Sequence, residues 1–278
     1  MIHLGLVGHP LERSLSPKIH LAAFQSCGLQ GDYSLFPIPP DSKQGLEDLL
    51  ARVRSGEITG LNVTLPHKQN VIPFLDELTS TAKSIGAVNT IYYRNYKLSG
   101  DNTDAPGFLS DLKRFIGNQE SKIANKKSAL ILGAGGSARA VIYALLNDGW
   151  NITVAARRIE QAQQLITSFA PRELRVMNYD PFDLEPLTFN LIVNTTPVGM
   201  TPNINQSPWP DGLRFPHQAM VYDLVYNPRK TKLVRDARLS GLSAETGIGM
   251  LVEQAALAFE IWTGRKPSRN ALFESINH

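Results

Sequence analysis

Apolar residues in this chain fall into short runs and helical stripes that alternate along its length. Ile2 to Val7 predicts a buried strand that stops at Gly8-His9-Pro10, and helical spacing follows from Lys18 to Cys27. Tyr33 to Phe36 predicts a second strand ended by Pro37, and Gly45 to Arg54 an amphipathic helix. A third strand closes near Val63. Gly86 to Ile91 reads as a strand with Asn89 embedded among apolar neighbours, and Tyr96 to Ser99 as the return of a hairpin. A helix is expected from Ala105 to Phe115, followed by a polar, charged linker from Asn118 to Lys127.

Beyond the linker, strand and helix alternate. Strands are expected at Ala129–Leu132, Ile152–Ala156, Leu174–Met177, Leu191–Asn194 and Met220–Leu224, with helices at Ser137–Asn147, Ile159–Phe169 and Lys230–Leu239. This pattern marks a parallel sheet with helices on both faces. A proline-rich loop runs from Asn194 to Pro216. In the last helix Met250, Gln254, Leu257 and Ile261 share one stripe. Three of them read as core packing. Gln254 is polar on an apolar face, so it either bonds backbone internally or meets a ligand.

The most informative stretch is Ala129 to Ala140, in which an apolar run enters a glycine turn and a small-residue helix leaves it. Gly133, Gly135 and Ala138 fit G-x-G-x-x-G/A: a tight turn, close backbone approach to a pyrophosphate, and tight helix–strand packing. Gly133, Ala134, Gly135, Gly136, Ser137 and Ala138 would present free N–H groups to phosphates at the helix start. Strand, turn and helix come in the required order, which favours a dinucleotide site over ordinary turn glycines. The next strand ends in Ala155-Ala156-Arg157-Arg158, without the acid that binds the ribose hydroxyls of NAD. Two guanidiniums suit a 2′-phosphate. The expected cofactor is NADP.

Other candidates carry ordinary readings beside the chemical ones. Ser16 before Pro17 suits an N-cap, which leaves Ser14 unexplained. Pro66 suits a first helical turn, which would hold Lys68 where a helix dipole disfavours a cation; that suits an amine that must exchange a proton. A solvated surface lysine fits the pattern equally. Asp104 could simply cap its helix, and only the company of Lys68 lifts a catalytic role above that. Thr195 follows a buried strand at the carboxyl edge, where ligands bind in such sheets. Tyr226 is a packed aromatic or a hydroxyl facing a cleft.

With 278 residues the chain has room for two domains. A net charge of +3 is too small and dispersed to argue for nucleic acid, and suits anionic small molecules. The single cysteine, Cys27, reads as a buried structural thiol and suits a reducing compartment. No signal peptide or membrane span is expected, so the protein is expected in the cytoplasm. Six histidines without ligand spacing argue against a metal.

Taken together, an ordered set of segments resembles the shikimate dehydrogenase family over the length of the chain. It comprises Ser14-Leu15-Ser16-Pro17, Asn62-Val63-Thr64-Leu65-Pro66-His67-Lys68, Gly86-Ala87-Val88-Asn89-Thr90 and Gly100-Asp101-Asn102-Thr103-Asp104, then the glycine turn, Tyr222-Asp223-Leu224-Val225-Tyr226, and Gly247 to Gln254. The resemblance implies NADPH-dependent reduction of 3-dehydroshikimate to shikimate, on the route to aromatic amino acids. By motif position, Ser14 and Ser16 would hold the substrate carboxylate, and Asn62, Thr64, Asn89, Tyr226 and Gln254 would complete the polar pocket. Lys68 and Asp104 would be the catalytic pair. Gly133 to Ala138, Arg157, Arg158, Thr195, Leu224, Gly247 and Met250 would bind the cofactor.

The family usually has Asn-Arg-Thr after the second strand and a further basic residue beyond. This chain has Ala156-Arg157-Arg158 and Gln161, so the asparagine contact is lost and Arg158 stands in for the missing cation. The implied fold is α/β with two domains: residues 1–104 plus 246–278 for substrate and catalysis, and a Rossmann-type parallel-sheet NADP domain at 105–245. Cofactor and substrate would meet in the cleft between them, in a monomer or homodimer. An NAD-using quinate/shikimate dehydrogenase and a non-catalytic ligand-sensing homologue are the alternatives. The missing acid counts against the first, and the presence of both Lys68 and Asp104 against the second.

Overall fold

The computed structural model describes residues 1–117, 127–169, 174–179 and 188–277. All of the expected linker except Lys127, as well as His278, lies outside them. The chain divides into two compact units, Met1–Gly107 with Leu251–His278, and Phe108–Met250.

The first unit opens with β1 (Ile2–Gly8), α1 (Ser16–Cys27), β2 (Gly31–Pro37), α2 (Lys43–Arg54) and β3 (Gly60–Val63). There follow α3 (His67–Asn70), β4 (Glu77–Leu78), α4 (Ser80–Ile85), β5 (Thr90–Arg94) and β6 (Lys97–Asp101). The six strands order as β2-β1-β3-β5-β6-β4, all parallel except β5, which runs antiparallel to its neighbours β3 and β6. On α2 the buried residues are Leu46, Leu49, Leu50 and Val53, the i, i+3, i+4, i+7 stripe of an amphipathic helix. They pack with Val7, Leu61, Val63, Val88, Ile91 and Leu98.

Helix α5 (Asp104–Ile116) leads to the second unit, with β7 (Ser128–Leu132), α6 (Gly136–Asn147), β8 (Asn151–Ala156), α7 (Ile159–Thr167) and β9 (Leu174–Asn178). It continues through β10 (Leu191–Asn194), β11 (Met220–Asp223), α8 (Lys232–Leu239) and β12 (Ala244–Thr246). These strands are all parallel in the order β12-β11-β10-β7-β8-β9. That is the doubly wound 3-2-1-4-5-6 order, with its switch point between β7 and β10. The five expected strands and three expected helices of this half are all present, with ends shifted by at most two residues. Helices α9 (Ile248–Thr263) and α10 (Arg269–Ser275) close the chain. No helix among the described residues is long and apolar enough to cross a membrane.

Several local expectations are corrected. Ser16 is the first helical residue rather than the N-cap: Leu15 holds that position, and the Ser16 amide bonds to Ser14 Oγ at 3.2 Å. Asp104 likewise lies inside its helix, and Asn102 takes the Ala105 amide at 3.2 Å, so capping does not explain Asp104. Pro66 sits at the cap of α3, which is a single turn and carries little macrodipole. Residues 86–89 are not strand, because the Asn89 side chain takes the Thr103 amide at 2.7 Å and holds the segment in a turn. Cys27 is half-buried, not buried. The short elements α4, β12 and α10 carry too few apolar positions to show a period.

Candidate active site

In the first unit, polar residues collect where β3, the turn before β5 and the start of α5 come together. Lys68 stands on α3 just beyond the carboxyl end of β3, and Asp104 opens α5. Lys68 Nζ donates to Asp104 Oδ2 at 2.6 Å, and both side chains are buried. The charge next to Lys68 is thus a carboxylate rather than a helix end. Asn89 organises the pair. Its Nδ2 donates to Asp104 Oδ1 at 2.9 Å, to Thr103 Oγ1 at 2.9 Å and to Gln254 Oε1 at 3.4 Å. Its Oδ1 accepts from the Thr103 amide and from Thr90 Oγ1 at 3.0 Å. Both polar atoms of the Asn89 side chain thus have partners within the protein.

Asn62 on β3 belongs to the same network, since its Nδ2 donates to the Asn89 carbonyl at 3.2 Å. Gln254 makes internal bonds: besides the Asn89 contact, its Nε2 donates to the Leu251 carbonyl at 2.8 Å, and the carboxamide has capacity for a ligand as well. Backbone at Gly107 runs against Gln254, whose amide nitrogen would lie 2.8 Å from a β-carbon there. Ser14, Ser16 and Thr64 follow the carboxyl ends of β1 and β3, which pair in parallel up to Val7 and Val63. The Thr64 amide bonds to the Val7 carbonyl at 2.9 Å. Lys68, Asp104, Asn89, Asn62 and Gln254 are thus joined by hydrogen bonds, and Ser14, Ser16 and Thr64 are delivered to the same sheet edge.

In the second unit, Gly133 leaves β7 at φ +106°, and a β-carbon there would sit 2.9 Å from Thr195 Oγ1. Thr195, after β10, bonds to the Leu132 carbonyl through its amide and its hydroxyl at 2.9 and 2.8 Å. The switch point is therefore tied shut beneath the glycine turn. At Gly135 a β-carbon would meet nothing within 4 Å, which is the open approach a pyrophosphate needs in front of the α6 N-terminus. Ala138 is buried. Arg157 and Arg158 are exposed after β8, and Gln161 donates to the Ala134 carbonyl at 3.2 Å. These features fit NADP. Tyr226 lies past β11, where burial pushes its hydroxyl pKa up and keeps it protonated. Gly247 is packed on the Leu224 carbonyl, so no side chain fits there.

Two groups escaped the sequence reading. Asp111 is buried in α5, accepting from Tyr222 Oη at 2.6 Å and Arg114 Nε at 2.7 Å, and it presses on Gly249 ahead of Met250. His20 is buried in α1 against Asn62. The available signal was the same for both: a polar residue on the apolar stripe of a helix, as with Gln254.

A doubly wound sheet with a glycine turn at its switch point, in one chain with a buried lysine–aspartate pair, defines a dinucleotide-dependent α/β oxidoreductase. Family models agree. The shikimate dehydrogenase substrate binding domain matches residues 6–91, shikimate / quinate 5-dehydrogenase matches 116–229, and the shikimate 5′-dehydrogenase C-terminal domain matches 247–272. The chain belongs to the shikimate dehydrogenase family.

The NADP(+) shikimate dehydrogenase of Salinibacter ruber is 41% identical, over 98% of this chain and 95% of its own. The crystal structure of shikimate 5-dehydrogenase from Thermus thermophilus in complex with NADP(H) and shikimate superposes with a TM-score of 0.86 at 38% identity. The match covers 99% of this chain and 98% of that one. A shikimate dehydrogenase in complex with NADP+ gives a TM-score of 0.90 at 35% identity, covering 99% and 94%.

Proposed function

We propose that this chain catalyses the reversible reduction of 3-dehydroshikimate to shikimate with NADPH, in the pathway to aromatic amino acids. The observation that carries the reading is the buried 2.6 Å Lys68–Asp104 pair, fixed by Asn89. Bound NADPH supplies a hydride to the carbonyl carbon. The oxygen that turns into an alkoxide needs a proton, and the Lys68 ammonium donates it from Nζ. Asp104 orients that ammonium and accepts a hydrogen bond from the new hydroxyl. In the oxidising direction the same pair takes the proton back.

Ser14 and Ser16 hold the substrate carboxylate through their hydroxyls, and Asn62, Thr64, Asn89, Tyr226 and Gln254 bind its polar edge. Gly133 to Ala138, Thr195, Leu224, Gly247 and Met250 hold the cofactor, with Arg157 and Arg158 on its 2′-phosphate. In this reading residues 1–104 plus 246–278 bind substrate and 105–245 bind NADP, in a monomer or homodimer. A reducing cytoplasm suits its single cysteine.

The test is the initial rate with shikimate or quinate crossed with NADP⁺ or NAD⁺. Highest kcat/KM for shikimate with NADP⁺ is expected. Preference for quinate or NAD⁺ would replace the reading with that of a quinate/shikimate enzyme.

A further inference from the structure

Asn62 Oδ1 accepts two hydrogen bonds from within the protein, one from Tyr33 Oη at 2.8 Å and one from His20 Nε2 at 3.1 Å. The other end of the carboxamide faces the Asn89 carbonyl, which can only accept. Nδ2 must therefore point to Asn89, and Oδ1 to the two rings. It follows that His20 carries its proton on Nε2, since the other tautomer would set a lone pair against Oδ1. The bare Nδ1 of His20 then has no partner among the described residues, although the ring is wholly buried. A buried imidazole with one unsatisfied nitrogen calls for an explanation.

The surroundings hold that ring in one pose. It stacks on Tyr33 with centroids 4.3 Å apart and planes 4° from parallel, and Phe259 and Trp262 close around it at 6.2 and 5.5 Å. The apolar cage keeps the imidazole neutral, with its pKa pushed down to about 3 by burial. His20 also lies one helical turn after Ser16, at i+4 on the same face of α1. A hydrogen-bonded path runs on from Asn62 through Asn89 to Asp104 and Lys68. With Oδ1 occupied and one Nδ2–H given to Asn89, Asn62 has a single N–H left to offer.

We propose that His20 is a positioning residue. With Tyr33 it fixes the Asn62 carboxamide as a hydrogen-bond donor, so that the site selects an acceptor oxygen, a hydroxyl or carbonyl, where substrate meets Asn62. This rests on the shikimate dehydrogenase reading and on Asn62 touching substrate. Without the two ring donors only the Asn89 carbonyl orients the carboxamide, and Asn62 reads that oxygen less strictly.

The experiment is shikimate oxidation with NADP⁺ by the full chain carrying His20→Leu, His20→Gln or Tyr33→Phe, each also combined with Asn62→Ala. His20→Leu is expected to raise KM for shikimate about tenfold while leaving KM for NADP⁺ unchanged. His20→Gln, which can place an amide N–H near the ring's Nε2, restores it. In the Asn62→Ala background His20→Leu adds nothing, because the group it positions is gone. An equal further loss in that background, or a matching rise in KM for NADP⁺, overturns the proposal and leaves His20 a packing residue. If His20→Leu does not fold, Tyr33→Phe, which deletes only a hydroxyl, decides through the same cycle. Failure of the underlying reading looks different: wild type then turns over no shikimate, or Asn62→Ala matches wild type.

Discussion

Lys68 Nζ lies 2.6 Å from Asp104 Oδ2 with both groups buried, so each charge is desolvated and each depends on the other. Such a pair is expensive to bury, and removing one partner strands the other. Lys68→Met is therefore expected to lose about 3 kcal/mol of stability, at the lower end for a broken buried pair because Asn89 still donates to Asp104. Lys68→Met with Asp104→Leu should recover most of it while staying inactive. Urea unfolding of both variants checks this. A double variant as unstable as the single one would mean that packing, not charge, dominates here.

Acid and base bear on two buried groups with opposite sign. Burial raises the Asp223 carboxyl from 3.8 to about 6, against hydrogen bonds from Thr231, Val225 and Asn194. Between those values the native chain holds a proton that the unfolded chain has released, so this contribution falls as pH rises from about 4 to 6. His20 is the reverse. Its pKa drops from 6.5 to about 3, so its contribution is full above 6.5 and is lost as pH falls.

Unfolding free energies of Asp223→Asn and His20→Gln against wild type, from pH 4 to 7, separate the two. Wild type should lose stability relative to Asp223→Asn on going up in pH, by on the order of 3 kcal/mol. It should lose stability relative to His20→Gln on going down. Parallel curves for either variant would contradict the corresponding assignment.

The two glycines of the β7–α6 turn are expected to respond differently to alanine. Gly133→Ala forces a β-carbon into a positive-φ backbone against Thr195 Oγ1, and costs about 1–2 kcal/mol in stability. Gly135→Ala meets open space and should leave the unfolding midpoint unchanged or slightly raised, yet weaken NADP⁺ binding. Thermal unfolding beside a cofactor titration checks both. Unchanged NADP⁺ affinity in Gly135→Ala would remove the pyrophosphate from that turn.

Arg157 and Arg158 are exposed and should matter little to stability. Replacing each with alanine is expected to raise KM for NADP⁺ roughly tenfold and to leave the slower NAD⁺ reaction almost unchanged. Initial rates with both cofactors read this directly. Equal effects on the two cofactors would assign the guanidiniums to something other than the 2′-phosphate.

The parallel sheet was legible because its central strands are buried on both faces and end in turn residues, so Ala129–Leu132 and Leu191–Asn194 stand out as apolar runs. The α2 stripe was legible for the same reason in helical period. What joins Asn62 to His20 and Tyr33, or Asp111 to Tyr222, was not. Those partners are up to 111 positions apart in sequence, and only the sheet order brings them together. Asn89 misled in an instructive way. Its apolar neighbours predict a strand, whereas its side chain satisfies Thr103 backbone and bends the segment into the site. Capping misled at Ser16 and Asp104 because both already stand inside helices whose ends are served by Ser14 and Asn102.

In the proposed mechanism Lys68 with Asp104 exchanges the proton of the reacting hydroxyl. The most direct test is kcat for shikimate oxidation in wild type and Lys68→Ala, with shikimate binding measured on the same samples by calorimetry. A fall in kcat of about 10² to 10⁴ is expected while shikimate still binds. Full activity in Lys68→Ala would contradict it.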